Sequence, residues 1–307
     1  MIILNNKISD FDVPIKNEYI NMCISNHDLN SSNGKKKSNV RKKRVGVGFF
    51  VWSIVFCVLL FVMGGSLYKL LKWNKDNLVT KSVIEEIDYD YIEVQDSENT
   101  EYVSKEETSD YWYYVKFPLI SVDFSELVKK NSDTVAWINV NNTNINYPVV
   151  QASDNDYYLN RSYDKSYNEA GWVFMDYRNN NNLDNKNTIL YAHSRLDKTM
   201  FGSLSKTLKS DWYTNKDNHI IRISTPEENA LYQIFSVYVI EEESYYINTN
   251  FSTSEEYLVF LNRLRNRSKY NFNTNLSVDD KILTLSTCYS DTERTVVHAK
   301  LLKRELR

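Results

Sequence analysis

Glycine is scarce in this chain: only seven of 307 residues. Beyond Gly65 there are two, Gly171 and Gly202. A loop that cradles phosphate needs several glycines close together, because Cβ atoms keep the backbone from wrapping the anion. A P-loop and a dinucleotide fingerprint are therefore excluded. An excess of positive charge is also missing. Thirty-seven basic residues stand against 40 acidic ones, a net charge of −3, so nothing global points to nucleic acid. Downstream of residue 68 there is no HExxH, no pair of cysteines and no alternating acidic spacing of a calcium loop, so neither a metal nor a cofactor is expected. Cysteine is limited to Cys23, Cys57 and Cys288.

Hydrophobic content of 42% and charged content of 25% are ordinary for a globular chain, but their distribution is uneven. From Val45 to Tyr68 the chain runs 24 residues without a charge. As a helix this covers roughly 36 Å, enough for a bilayer core of about 30 Å. Lys35 to Arg44 carries seven basic residues in ten, a flank that stays in the cytoplasm. The expectation is an uncleaved signal anchor at 45–68, a basic cytoplasmic tail at 1–44, and the remainder outside the cell. Glu85 to Asp110 carries eleven acidic residues against one lysine and reads as a solvated stalk within 69–110. The aromatic cluster at Tyr111 to Tyr114 marks the expected start of a folded domain, 111–307.

With Cys23 in the tail and Cys57 in the apolar run, Cys288 is alone outside. It is either buried and inert or kept free because its thiolate reacts, and the count leaves both open. Apolar runs broken by Asn- and Asp-rich turns follow one another: NINYPVVQ, GWVFMDY, NTILYAH, HIIRIS, ALYQIFSVYVI, KILTLSTC and RTVVHAKLL. They predict a β sandwich or barrel. Phe124 to Trp137 predicts a short helix, with Leu127 and Val128 inward, leading into a strand. Ser254 to Arg267 predicts another, with Tyr257, Leu258, Leu261 and Leu264 inward.

Within KILTLSTC, alternation puts Cys288 on the face of Ser286, Thr284 and Ile282, away from Leu283 and Leu285. A cysteine ending a strand on its more polar face favours a site residue. Its thiol needs a proton partner and an oxyanion stabiliser. If Arg294 lies beside Cys288, His298 falls roughly 13 Å further along the strand, out of reach. His219 begins a strand after an Asn-rich turn, where simple solvation is one open reading. His193 ends a strand as Cys288 does. Geometry inclines toward His193, while a surface or satisfied polar role stays open for each histidine.

TLSTC followed by an arginine and a Val-Val strand, in TLSTCYSDTERTVVHAK, resembles the active-site signature of sortases, the membrane-anchored cysteine transpeptidases of Gram-positive bacteria. NTILYAHSRLDKTMFGSL resembles their histidine motif in its class B form. INYPVVQASDNDYYL, AGWVFMDYRN and a helix inserted at 241–275 are similar to class B segments. The resemblance covers about 120–307. It implies a mainly β fold, a closed barrel of about seven to eight strands with an N-terminal helix and an inserted helix between late strands. By motif, Cys288 is implied as the nucleophile and His193 as the general acid/base. Arg294 is implied as the oxyanion-side or substrate-positioning residue, with Arg195 the nearest alternative cation. Five residues separate Cys288 from Arg294, fewer than the family pattern. Ser286 and Thr287 are candidates to line the substrate groove, and Tyr246 and Ile247 weaker ones. The implied reaction is cleavage of a C-terminal sorting motif after threonine, then transfer to an amine of peptidoglycan or its lipid-linked precursor. Two other readings are a thiol peptidase that only hydrolyses and a sortase-like binder without activity.

Overall fold

The computed structural model describes residues 46–87, 91–94, 99–103, 109–241, 243–288 and 293–307. The expected tail at 1–44, the segment 289–292 and the Cys288 side chain lie outside what is described. The chain divides between Val58 and Leu59 into two units.

In chain order the helices and strands are α1 (Val47–Glu86), β1 (Tyr91–Val94), β2 (Thr100–Tyr102), α2 (Ser109–Val115), β3 (Leu119–Val122), α3 (Ser125–Lys130), β4 (Thr134–Val140) and β5 (Asn146–Val150). They continue with β6 (Phe174–Met175), β7 (Asn187–Tyr191), α4 (Ser210–Thr214), β8 (Ile220–Ser224), β9 (Glu228–Glu241), α5 (Ser254–Asn266), β10 (Ile282–Cys288) and β11 (Glu293–Leu306). All seven strand-like runs of the sequence are strands. Together with β4 they pair in the order β10-β7-β6-β5-β4-β8-β9-β11, and β11 pairs back onto β10 to give a closed eight-stranded barrel, with β2 added at the far end of β11. Closure removes the free edges that an open sheet would leave.

The barrel interior is filled by residues such as Trp137, Ile138, Trp172, Phe174, Tyr232, Leu283, Leu285 and Val297. β9 and β11 are buried on both faces. On β9, Ala230, Tyr232 and Ile234 point inward, and so does Val237. That change of parity comes from a bulge: His298 pairs with Ser236 and Ala299 with Ile234, leaving Phe235 without a partner. The bulge turns Phe235, Tyr238 and Ile240 outward, where they form a second core with Tyr257, Phe260, Leu261 and Leu264 of α5. Thr253 caps α5 by accepting from the Glu256 amide at 3.1 Å, and Glu256 accepts from the Ser252 amide at 2.7 Å. Phe260 takes the inward place expected for Leu258, which is only half-buried. In α3, Leu127 is buried as expected, but Val128 is 40% exposed.

α1 carries the one segment among the described residues long and apolar enough to cross a membrane. Its large apolar side chains from Phe49 to Leu71 are exposed. The helix does not stop at the end of the apolar run, and packing starts well before the expected boundary at 111. Thr80, Val83 and Ile87 are buried, and the Asn168 amide donates to the Asp76 carbonyl at 3.2 Å and the Thr80 hydroxyl at 3.0 Å. Lys72 pairs with Glu169. β1 pairs with β3, and β2 with β11, so parts of the acidic segment join the sheets. Helical spacing of Val79, Val83, Ile84 and Ile87 is the signal for this docking.

Two histidines are built into the core. His219 is 3% exposed rather than solvated. It bonds the Tyr114 hydroxyl at 2.8 Å and the Tyr213 carbonyl at 2.7 Å. His298 is fully buried, and burial pushes its pKa down to about 3. Thr284 donates to Asn187 Oδ1 at 2.6 Å, so its oxygen accepts from His298 Nδ1 at 2.8 Å and Tyr238 donates to Nε2 at 2.8 Å. An unfolded histidine takes up its proton near pH 6.5, whereas this one stays neutral until about 3. Between those values the unfolded chain binds more protons, so stability falls as pH falls. Chemical denaturation should show the wild type losing roughly 1 kcal/mol more per pH unit below 6.5 than His298→Gln. Equal slopes in the two proteins would refute this.

Candidate active site

β10 and β7 run parallel, with Ser286 beside Tyr191. Two residues further on stand Cys288, the last residue of β10, and His193, just past the end of β7. The register therefore brings both to the same end of adjacent strands, where neighbouring backbones lie about 4.8 Å apart. On the other side of β10, Cys288 pairs in register with Arg294 of β11. The strand faces are as expected: Leu283 and Leu285 enter the barrel, and Ile282 lies in the outer core.

Above this end of the barrel is a cleft of about 430 Å3. His193, Arg294, Ser286, Thr287, Tyr246 and Ile247 all line it, so these six sequence-derived candidates face one space. Tyr246 and Ser286 share a hydrogen bond at 2.9 Å. The Thr287 hydroxyl is buried and has no hydrogen-bond partner among the described residues. The Arg294 guanidinium donates to the Glu293 carbonyl at 3.2 Å. Arg195, the alternative cation, faces elsewhere. It pairs with Asp197 at 3.0 Å, donates to Thr199 at 2.9 Å and bonds Asn77 of α1.

His193 is held by main chain. Its Nε2–H donates to the Leu159 carbonyl at 2.6 Å, an arrangement that leaves Nδ1 as the nitrogen open to a reacting partner in the neutral ring. Gly171, at φ +60°, lies against the imidazole: a Cβ there would stand 2.9 Å from His193 Cδ2 and 2.8 Å from the Leu159 carbonyl oxygen. The loop after His193 folds back so that the Phe201 amide donates to the His193 carbonyl at 3.1 Å. A Cβ at Gly202 would stand 2.2 Å from the Arg195 carbonyl oxygen. The only two glycines beyond Gly65 thus both serve the histidine loop.

Sequence reasoning passed over Asn155, Leu159, Tyr191 and Ser244, which also line the cleft. Three of them lie inside motifs already quoted, DNDYYL and NTILYAH, but nothing in their spacing marks them. His298, set aside on distance, is indeed sealed in the barrel wall.

A family model described as "Sortase domain" matches residues 138–302. The chain is 39% identical over 184 residues to sortase B of Staphylococcus aureus, covering 59% of this chain and 75% of that protein. Among solved structures it is similar to a Bacillus anthracis protein described as similar to sortase B, with 41% identity and a TM-score of 0.56, over 64% of this chain and 94% of the other. It is also similar to a Staphylococcus aureus sortase B–substrate complex, with 39% identity and a TM-score of 0.55, over 59% and 84%. Barrel topology, cleft and sequence agreement over most of each relative lead to one conclusion: this chain belongs to the sortases, in class B, and is a sortase-type cysteine transpeptidase.

Proposed function

We propose that this transpeptidase cleaves a C-terminal sorting motif after threonine and joins the released carbonyl to an amine of peptidoglycan or its lipid-linked precursor. The observation that carries the reading is the single cleft shared by His193, Arg294, Ser286 and Thr287 at the end of β10, whose last residue is Cys288. In the first step the Cys288 thiolate attacks the threonine carbonyl. The carbonyl oxygen gains negative charge beside the Arg294 guanidinium. Protonated His193 gives a proton from Nδ1 to the departing amine, leaving a thioester. In the second step the acceptor amine loses its proton to His193 and displaces the thiolate, which completes the exchange of one amide for another.

The carbonyl of Leu159 is suited to this cycle, because it accepts from Nε2 in both protonation states and leaves the ring orientation unchanged. The Tyr246–Ser286 pair supplies a polar wall for the bound peptide. The apolar part of α1 would hold the enzyme at the bilayer, with the basic flank inside and the barrel outside. Confinement to one surface raises the effective concentration of membrane-linked substrates and acceptor.

The test is the full chain in detergent, given a sorting-motif peptide with and without an amine acceptor. Ligated product that grows with amine concentration is the expected result. Cleavage indifferent to the amine would mean a peptidase, and no cleavage of any motif peptide would mean a binder.

A further inference from the structure

Behind the cleft, and outside it, lies a carboxylate that the reaction does not use. Asp176 follows β6 with its side chain fully buried. Its two oxygens accept five hydrogen bonds. Oδ1 takes the Arg178 amide at 3.0 Å and Arg178 Nε at 2.8 Å. Oδ2 takes Arg178 Nη2 at 2.7 Å, the Tyr191 hydroxyl at 2.9 Å and the Asn155 amide at 3.2 Å. Burial alone would favour the neutral acid, but the bonds from Arg178 and Tyr191 outweigh it and hold the carboxyl below its usual range.

What distinguishes this cluster is where its donors lead. Asn155 belongs to the loop after β5, and Tyr191 ends β7, two residues before His193. Arg178 Nη2 reaches on to the Ile247 carbonyl at 3.0 Å, in the turn between β9 and α5. Asn155, Tyr191 and Ile247 all line the cleft, while Asp176 does not. One buried charge thus ties three walls of the cleft that come from three distant stretches of chain. The Ile247 and Asn248 amides of this turn each make a long bond of 3.3 Å, while Asn187 holds the Tyr246 and Asn248 carbonyls and the Tyr246 hydroxyl meets Ser286. Arg178 brings a charged donor to the backbone of the turn.

We propose that Asp176, acting through Arg178, is a positioning residue that sets the width of the peptide cleft and so the affinity for the sorting peptide. The proposal rests on the reading of this cleft as the sorting-peptide groove. Charge-assisted and bidentate bonds of this kind are the strong ones, and a carboxylate removed from them leaves a guanidinium with no fixed direction.

Two variants of the full chain in detergent test it. Asp176→Asn keeps the shape and removes the charge. Arg178→Lys, at a site with a 34% exposed side chain, keeps the charge but cannot span the carboxylate and the Ile247 carbonyl together. Both should raise KM for the sorting peptide about tenfold with kcat within about twofold, as expected when a loosened cleft wall weakens binding of substrate and transition state alike. A merely structural role would lower kcat through loss of folded enzyme and leave KM alone. Hydrogen exchange gives a readout that does not depend on turnover: the Ile247 and Asn248 amides should exchange at least about tenfold faster in both variants. Unchanged KM in an active wild-type background, or unchanged exchange at these amides, overturns the proposal. A wild type that cleaves no sorting peptide overturns the functional reading instead, and exchange at 247–248 still decides whether Asp176 holds the turn.

Discussion

Cys288→Ala should abolish both peptide cleavage and amine transfer, a fall of at least about a thousandfold in kcat. The size of the effect follows from the chemistry. The hydroxyls that line the cleft are far weaker nucleophiles than a thiolate, and that of Ser286 is already hydrogen-bonded to Tyr246. Without a thiolate the peptide can still bind, because the walls remain, so binding of the uncleaved peptide should survive the substitution. Mass spectrometry of wild type mixed with peptide should show an acyl adduct that is missing from Cys288→Ala. Turnover by Cys288→Ala within tenfold of wild type would remove Cys288 from the proposed role.

Arg294→Lys should lower kcat by about a hundredfold while changing KM little, since a donor aimed at the oxyanion acts chiefly in the transition state. Lysine retains the charge but loses the planar fork. The cross-strand pairing of Arg294 with Cys288 fixes the backbone on which that fork is mounted, whatever the length of the segment between them. The contrast is Arg195→Ala. Arg195 is bound to Asp197, Thr199 and Asn77, so its loss should alter thermal stability and leave kcat within a few-fold. Equal losses of kcat in Arg294→Lys and Arg195→Ala would refute the assignment.

Much of this was legible in the sequence, for local reasons. Alternation along KILTLSTC and NTILYAH reports which side of a strand faces an apolar interior, and a strand end bearing a histidine or cysteine is visible without knowing its neighbours. The inserted helix declared itself through its caps and charges. The features that escaped depend on where distant segments meet. His219 looked solvated because its flanking turn is polar, yet Tyr114 and Tyr213 close over it from elsewhere in the chain. Phe260 displaced Leu258 because the bulge at Phe235 sets the surface against which α5 packs. The end of α1 was read as a stalk from its acids, although its apolar residues keep helical spacing and bury against the barrel. Asp176 gave no sign at all, since the side chains that hold it stand at 155, 178 and 191.

The imidazole of His193 lies against a missing methyl group at Gly171, and the loop that follows it closes on itself only because Gly202 lacks one too. Its orientation is written in chain path rather than in side-chain identity. Exchanges among exposed residues such as Leu196 can therefore accumulate on that loop without tilting the ring, whereas the smallest possible enlargement at 171 wedges directly into it. Retuning the enzyme's proton transfer would require rerouting backbone, which few single substitutions can do.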